Sequence, residues 1–172
     1  MTSLLKQSIV DALNGQVVEE FTAESQYIAI AFYFDSETLP QLSNFFHAQA
    51  TEEHQHGMKL LQYITDAGGQ PIVPATKVVK NHFESVEEAV GLALNQELKV
   101  TEQFNHLVAL AAKENDYLTH QFLQWFVTEQ LEEVSTMSDL LNIVKRAGDD
   151  LFRIEDYLIQ NPHESQAEGA TE

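Results

Sequence analysis

The sequence contains no cysteine. That excludes a disulfide scaffold, a thiolate zinc site, an iron–sulfur cluster and a cysteine nucleophile. Basic residues are scarce. Nine Lys and Arg stand against 27 Asp and Glu, for a formal net charge of −18. Nucleic acid and anionic membranes are recognised through basic patches, so neither is an expected partner. No apolar run reaches the roughly 18 residues a membrane span needs. The opening stretch, Met1 to Gln16, lacks the apolar centre of a secretory leader, so the expected compartment is the cytoplasm. Only four prolines and seven glycines interrupt 172 residues. The whole chain is 44% hydrophobic, enough for the core of one domain.

The breakers cluster, and the segments between them have helical periodicity. The first runs from about Thr2 to Asp35 and ends before Pro40, which disfavours helix in the residue ahead of it. The second runs from about Gln41 to Ala67 and stops at Gly68-Gly69. A stretch with Pro71 and Pro74 follows, without helical pattern, to His82. The third opens at Ser85-Val86-Glu87-Glu88, a capping box with Ser85 as N-cap, and runs to about Asn115. The fourth starts near Asp116 and ends at Gly148, after Lys145-Arg146. A short fifth spans Asp150 to about Gln160. Residues 161–172 form a polar tail with no expected structure. The expected fold is all-α. Residues 1–160 form a four-helix bundle with one long crossover between helices two and three, the ferritin-like topology, plus a short fifth helix.

Residues seven apart on a bundle helix share a stripe. Helix one gives Leu13, Glu20, Tyr27, Phe34. Helix two gives Phe46, Glu53, Leu60 and, beside it, Leu42, Gln49, His56, Tyr63. Helix three gives Val90, Glu97, Phe104, Ala111. Helix four gives Phe126, Glu133, Leu140, Ala147. Each helix therefore places one glutamate between apolar neighbours on a core stripe, and Glu53 and His56 share a face at i, i+3. Burying an ionised carboxylate costs several kcal/mol unless it is paired. No lysine or arginine lies on these rows. Carboxylate oxygens with one imidazole suit divalent transition metals, which carboxylate-rich bundle cores bind in pairs. Taken singly, each of these residues reads as bundle-edge or core material, and so do Tyr27 and Trp125. The combination of four core-stripe glutamates with one E-x-x-H is what points to a metal centre.

The stretches Glu20 to Tyr27 (EFTAESQY), Glu52 to His56 (EEHQH), Gln96-Glu97 and Gln124 to Glu133 (QWFVTEQLEE) resemble the non-haem bacterial ferritins. Glu19 to Leu42 is most similar to the actinobacterial branch. The resemblance covers about residues 5 to 160. It implies an iron-storage protein with ferroxidase activity, taking Fe²⁺ with O₂ or hydrogen peroxide. It also implies a homo-oligomeric hollow shell of 24 subunits. By the same resemblance, Glu20, Glu53 and His56 hold the first iron. Glu53 bridges to a second, completed by Glu97 and Glu133 with Gln130 nearby. Glu52, Glu129 and Glu132 match a third iron site. Tyr27 matches a tyrosine implicated as an electron donor, and Trp125 a nearby tryptophan with a weaker redox case.

Two departures refine this. Haem-binding relatives carry a second E-x-x-H on helix four and a methionine after the first E-x-x-H glutamate. Here Glu133 is followed by Thr136, Glu129 by Glu132, and Glu53 by His54, so no haem is expected. Animal ferritins line their threefold pores with two carboxylates. His120 and Leu123 stand at about those positions, so access through the bundle itself is the alternative. The apolar fifth helix, with Leu151, Phe152, Ile154, Leu158 and Ile159, is read as packing around fourfold axes. Glu114, Asp139, Asp149, Asp150 and Glu155 are read as solvated charges. The rival readings are a di-iron oxidase that stores nothing, a DNA-protecting mini-ferritin and a purely structural bundle. Absent cysteine-rich domains, ligands on all four helices, a fifth helix and core glutamates argue against them in turn.

Overall fold

The computed structural model describes residues 3–162; the tail expected from residue 161 lies, from residue 163 onward, outside the described residues. Among the described residues there are five helices and no strand: α1 (Gln7–Ser36), α2 (Pro40–Asp66), α3 (Val86–Lys113), α4 (Tyr117–Ala147) and α5 (Leu151–Gln160). None is long and apolar enough to cross a membrane. The architecture is the expected all-α, ferritin-like bundle with a short fifth helix.

The ends follow from local chemistry. Pro40 sits in the first turn of α2, where its missing N–H is not needed. The Ser85 side chain accepts from Glu88 N at the start of α3, and the Glu88 carboxylate accepts from Glu84 N at 2.7 Å. The box therefore closes one residue earlier than its usual form. Asp116 caps α4 through Thr119 N at 3.0 Å. Helix α4 ends at Gly148, whose φ of 57° and ψ of −123° suit a residue without Cβ.

Short turns make α1 and α2 antiparallel, and likewise α3 and α4. The segment 67–85 runs the length of the bundle, so α2 and α3 are parallel. Side chains of α1 fasten this crossover. Asn14 donates to Gln70 O at 3.0 Å and accepts from Ile72 N at 2.8 Å. Gln26 makes the same two-way clamp on Lys80, 2.8 Å in each direction. Gly57, next to His56, lets α1 come close: a Cβ there would lie 2.7 Å from the Phe21 ring.

The core falls into two apolar clusters. One joins the end of α1 and the starts of α2 and α3 to the end of α4, with Tyr27, Phe34, Leu42, Phe46, Val90 and Leu140. The other joins the opposite ends, with Leu13, Val17, Leu60, Phe104, Leu123 and Phe126. Leu123 is completely buried there, so the pore-lining position reached by counting along the sequence faces the core.

Helix α5 does two things at once. Ile154 and Leu158 are buried in the first cluster, while Phe152 and Ile159 remain 83% and 60% exposed. Glu155 corrects the reading of it as a solvated charge. It is buried, and its carboxylate accepts from Gln41 N at 2.8 Å and Leu42 N at 3.0 Å. Those are free N–H groups in the first turn of α2, where negative charge is favourable.

Candidate metal centre

Between the two apolar clusters lies a layer of buried polar side chains: Glu20, Glu53, His56, Glu97, Gln130 and Glu133. Each heptad row places its glutamate at this one level. Among the described residues no lysine or arginine is buried. The layer therefore has no fixed cation of its own beyond what His56 can supply.

Among the described residues, two groups of side chains each bring their ligand atoms within 4.8 Å of one another. The first is Glu20, Glu53 and His56, as the sequence predicts; His56 Nδ1 lies 3.6 Å from Glu20 Oε2 and 3.5 Å from Glu53 Oε2. The second is His56, Glu129 and Glu133, which the sequence reading divides among the first, third and second irons respectively. Glu97 faces the first group electrostatically but is held by hydrogen bonds. The Tyr27 hydroxyl donates to its Oε1, and Gln130 Nε2 donates to its Oε2 at 2.9 Å. Glu52 is buried and accepts from Gln49 Nε2 at 2.5 Å. Glu132 is exposed; it and Glu52 both act on Glu129 by charge. Trp125 stands edge-on to His56 with ring centroids 5.5 Å apart, and Lys59 Nζ lies 3.9 Å above the indole.

Two residues of the layer escaped the ligand reading. Gln16 donates to Glu20 Oε1 at 2.6 Å, and Gln49 donates to Glu52. Their signal was position alone, one turn before a candidate ligand on the same helix face.

The electrostatics follow from crowding. Burial, then the charge of Glu97, pushes the Glu53 carboxyl well above the ordinary carboxylate range, against the help of His56. Burial and Glu97 do the same to Glu133. Burial raises Glu97 to about 7, although the Tyr27 hydrogen bond pulls the other way. Burial alone would lower His56, but the facing carboxylates of Glu20 and Glu53 outweigh it, and the imidazole holds its proton well above its usual range. Tyr27 is pushed up by burial and by Glu97. Glu129 is raised by burial, partly offset by His56. Glu20 Oε2, Glu53 Oε2 and Glu133 Oε2 are buried without a hydrogen-bond partner. Such oxygens are rare in folded proteins and costly when left unmatched. Hard oxygen donors and one imidazole, arranged around orphaned oxygens, fit divalent transition metals.

Comparison with known proteins points the same way. Residues 10–147 match the ferritin-like domain family. The chain is 47% identical over 146 residues to a ferritin BfrB of Mycobacterium tuberculosis, covering 85% of this chain and 81% of that protein. It is 39% identical over 147 residues to a bacterial non-heme ferritin of Staphylococcus aureus, covering 86% and 89%. Among solved structures, an open pore ferritin from the archaeon Archaeoglobus fulgidus superposes with a TM-score of 0.89 at 29% identity, covering 93% of this chain and 99% of that one. With its bundle, its crossover and its buried carboxylate layer, this chain belongs to the ferritin family.

Proposed function

We propose that this protein is a cytoplasmic iron-storage ferritin. It oxidises Fe²⁺ with O₂ or hydrogen peroxide at a di-iron centre and keeps the ferric product as mineral inside a hollow shell of 24 copies. One observation carries the reading: four core glutamates and their orphaned oxygens, with no buried lysine or arginine among the described residues to match them. Substrate iron supplies the missing positive charge. The relatives named above are ferritins, which supports iron as that metal.

In this reading Glu20, Glu53 and His56 take the first iron. Glu53, Glu97 and Glu133 take the second, with Gln130 steering Glu97. Glu52, Glu129 and Glu132 take a third, with His56 close enough to couple it to the pair. Carboxylate oxygens favour Fe³⁺ over Fe²⁺, so the donor set itself favours oxidation. Each Fe²⁺ gives one electron. A pair reduces O₂ to the peroxide level, and two further electrons, from the third iron and Tyr27, carry reduction towards water. When Tyr27 gives its electron, its proton has an acceptor in place in Glu97 Oε1. Trp125, beside His56, is the weaker candidate donor. The centre takes no haem: Thr136 and His54 replace the residues that haem-binding relatives use, and His54 is exposed and turned to Glu24 at 3.2 Å.

A mineral store needs a container, and the surface suits assembly. Phe32, Val73, Val78, Phe152 and Ile159 are each at least 60% exposed. Assembly into a shell would take such side chains out of water. Part of the −18 charge of each chain then faces inward and attracts Fe²⁺.

Size-exclusion chromatography after aerobic iron loading tests the storage half. The expected result is a particle of hundreds of kDa that keeps hundreds of irons per shell in solution. A dimer-sized species that precipitates its ferric product would replace storage with a di-iron oxidase.

A further inference from the structure

Hydrogen-bond donors are distributed unevenly across the carboxylate layer. Glu97 has both oxygens engaged, by Tyr27 and by Gln130. Glu20 has one. Gln16 Nε2 donates to its Oε1 at 2.6 Å, and its Oε2 has no hydrogen-bond partner. That free oxygen is the one 3.6 Å from His56 Nδ1. Gln16 is 4% exposed and Glu20 not at all. The two lie one turn apart on α1, so the contact is built into the helix.

The chemistry of a glutamine matters at this point. Its amide donates a hydrogen bond but has no charge. It can hold a carboxylate oxygen while leaving the full negative charge available. A lysine would neutralise Glu20, and an apolar side chain would leave Oε1 unheld. Resting on the ferroxidase reading, we infer that Gln16 is a positioning residue for the first cation. By fixing Oε1 it presents Oε2 alone to a cation shared with Glu53 and His56. Gln16 touches neither iron nor oxidant itself.

The test uses Co²⁺ as an oxygen-insensitive spectroscopic probe in the full-length, metal-free protein. The relevant binding step is the one that His56→Ala removes. In Gln16→Leu the amide is gone, and in Gln16→Asn it is one methylene too short to reach. Both variants should weaken that step by about ten- to a hundredfold, the usual effect of removing a group that orients a metal ligand. Both should also change its visible d–d spectrum, because a released Glu20 can turn and offer both oxygens. Other Co²⁺ steps should keep their affinity. Gln16→Asn is the milder change and decides the matter if Gln16→Leu does not fold. Wild-type affinity and spectrum in both variants would overturn the role of Gln16, and so would equal weakening of every step, which marks general loosening. A wild-type protein with no Co²⁺ step sensitive to His56→Ala would instead overturn the di-metal reading, and this inference with it.

Discussion

The two apolar clusters and the polar waist between them stand on the same helices and the same heptad stripes, yet they are finished in opposite ways. In the clusters, Phe34 and Phe46 or Phe104 and Phe126 fill space against one another; the last pair stacks at 4.6 Å between centroids. Nothing from outside is required, and each such side chain stabilises by about 1.5–3 kcal/mol on burial. The waist is as deeply buried, with Glu20 and Glu97 at zero exposure. There, burial raises the energy of every charged carboxylate, and three carboxylate oxygens, on Glu20, Glu53 and Glu133, find no donor. One region encodes the fold. The other is a local instability that the clusters hold in place, and its unmet demand for positive charge is what makes it a site.

The largest way to break this contrast exchanges the two chemistries. Phe104→Ala should cost about 3–5 kcal/mol of stability and leave fast Fe²⁺ oxidation in place, as thermal unfolding and stopped-flow absorbance would show. Glu133→Leu should do the reverse. Metal-free protein should be unchanged or stabilised by about 1–4 kcal/mol, as when buried charges give way to apolar groups, and fast oxidation should be lost. Next in size, Glu20→Ala or His56→Ala should slow the first phase of Fe²⁺ oxidation by more than about tenfold with the assembly intact. Fast oxidation in both would end the ligand assignment.

A third prediction concerns pH. Glu53, Glu97 and Glu133 have folded pKa values above the ordinary 4.5, with Glu97 at about 7. A raised carboxyl contributes stability that is whole below its unfolded pKa and disappears as pH rises through the folded value. His56, also raised, has the same sign. Metal-free protein should therefore melt several degrees lower at about pH 8 than at about pH 6. A divalent cation such as Zn²⁺ should shrink that difference by binding the ionised form. Calorimetry with and without Zn²⁺ checks it; equal melting temperatures in the metal-free protein would contradict it.

Smaller effects sharpen the edges of the comparison. Glu129→Ala should spare the initial oxidation burst but change the ratio of iron oxidised to O₂ consumed, measured with an oxygen electrode. An unchanged ratio would remove the third site. Glu155→Ala, at the junction of α5 and α2, should cost about 1 kcal/mol as a lost helix cap with no effect on oxidation. Differential scanning calorimetry would resolve it.

The waist was legible because a heptad row exposes any polar residue placed on it. Glu20, Glu53, Glu97 and Glu133 each interrupt an apolar stripe, and the structure buries all four at one level. Ser85 was legible as a cap because capping is local. Contacts that depend on a second element were not. Glu155 reads as one more acid on a short helix until α2 presents its free N–H groups to it. Leu123 reads as a pore position until α4 is rotated into the bundle. His56 reads as the partner of one glutamate pair, whereas the packing of α2 against α4 brings Glu129 and Glu133 to it as well. Gln16 had its position as its only signal, and a glutamine one turn from a glutamate is ordinary on any helix surface; only burial gives the pair meaning.

Stopped-flow absorbance of anaerobic protein, preloaded with increasing Fe²⁺ and mixed with aerated buffer, tests the account most directly. The carboxylate waist predicts a fast oxidation phase whose amplitude saturates at about two to three irons per chain and is lost in His56→Ala. A rate no faster than that of iron in buffer, or a fast phase that grows without saturating, would contradict the claim that this layer is the place where iron is bound and oxidised.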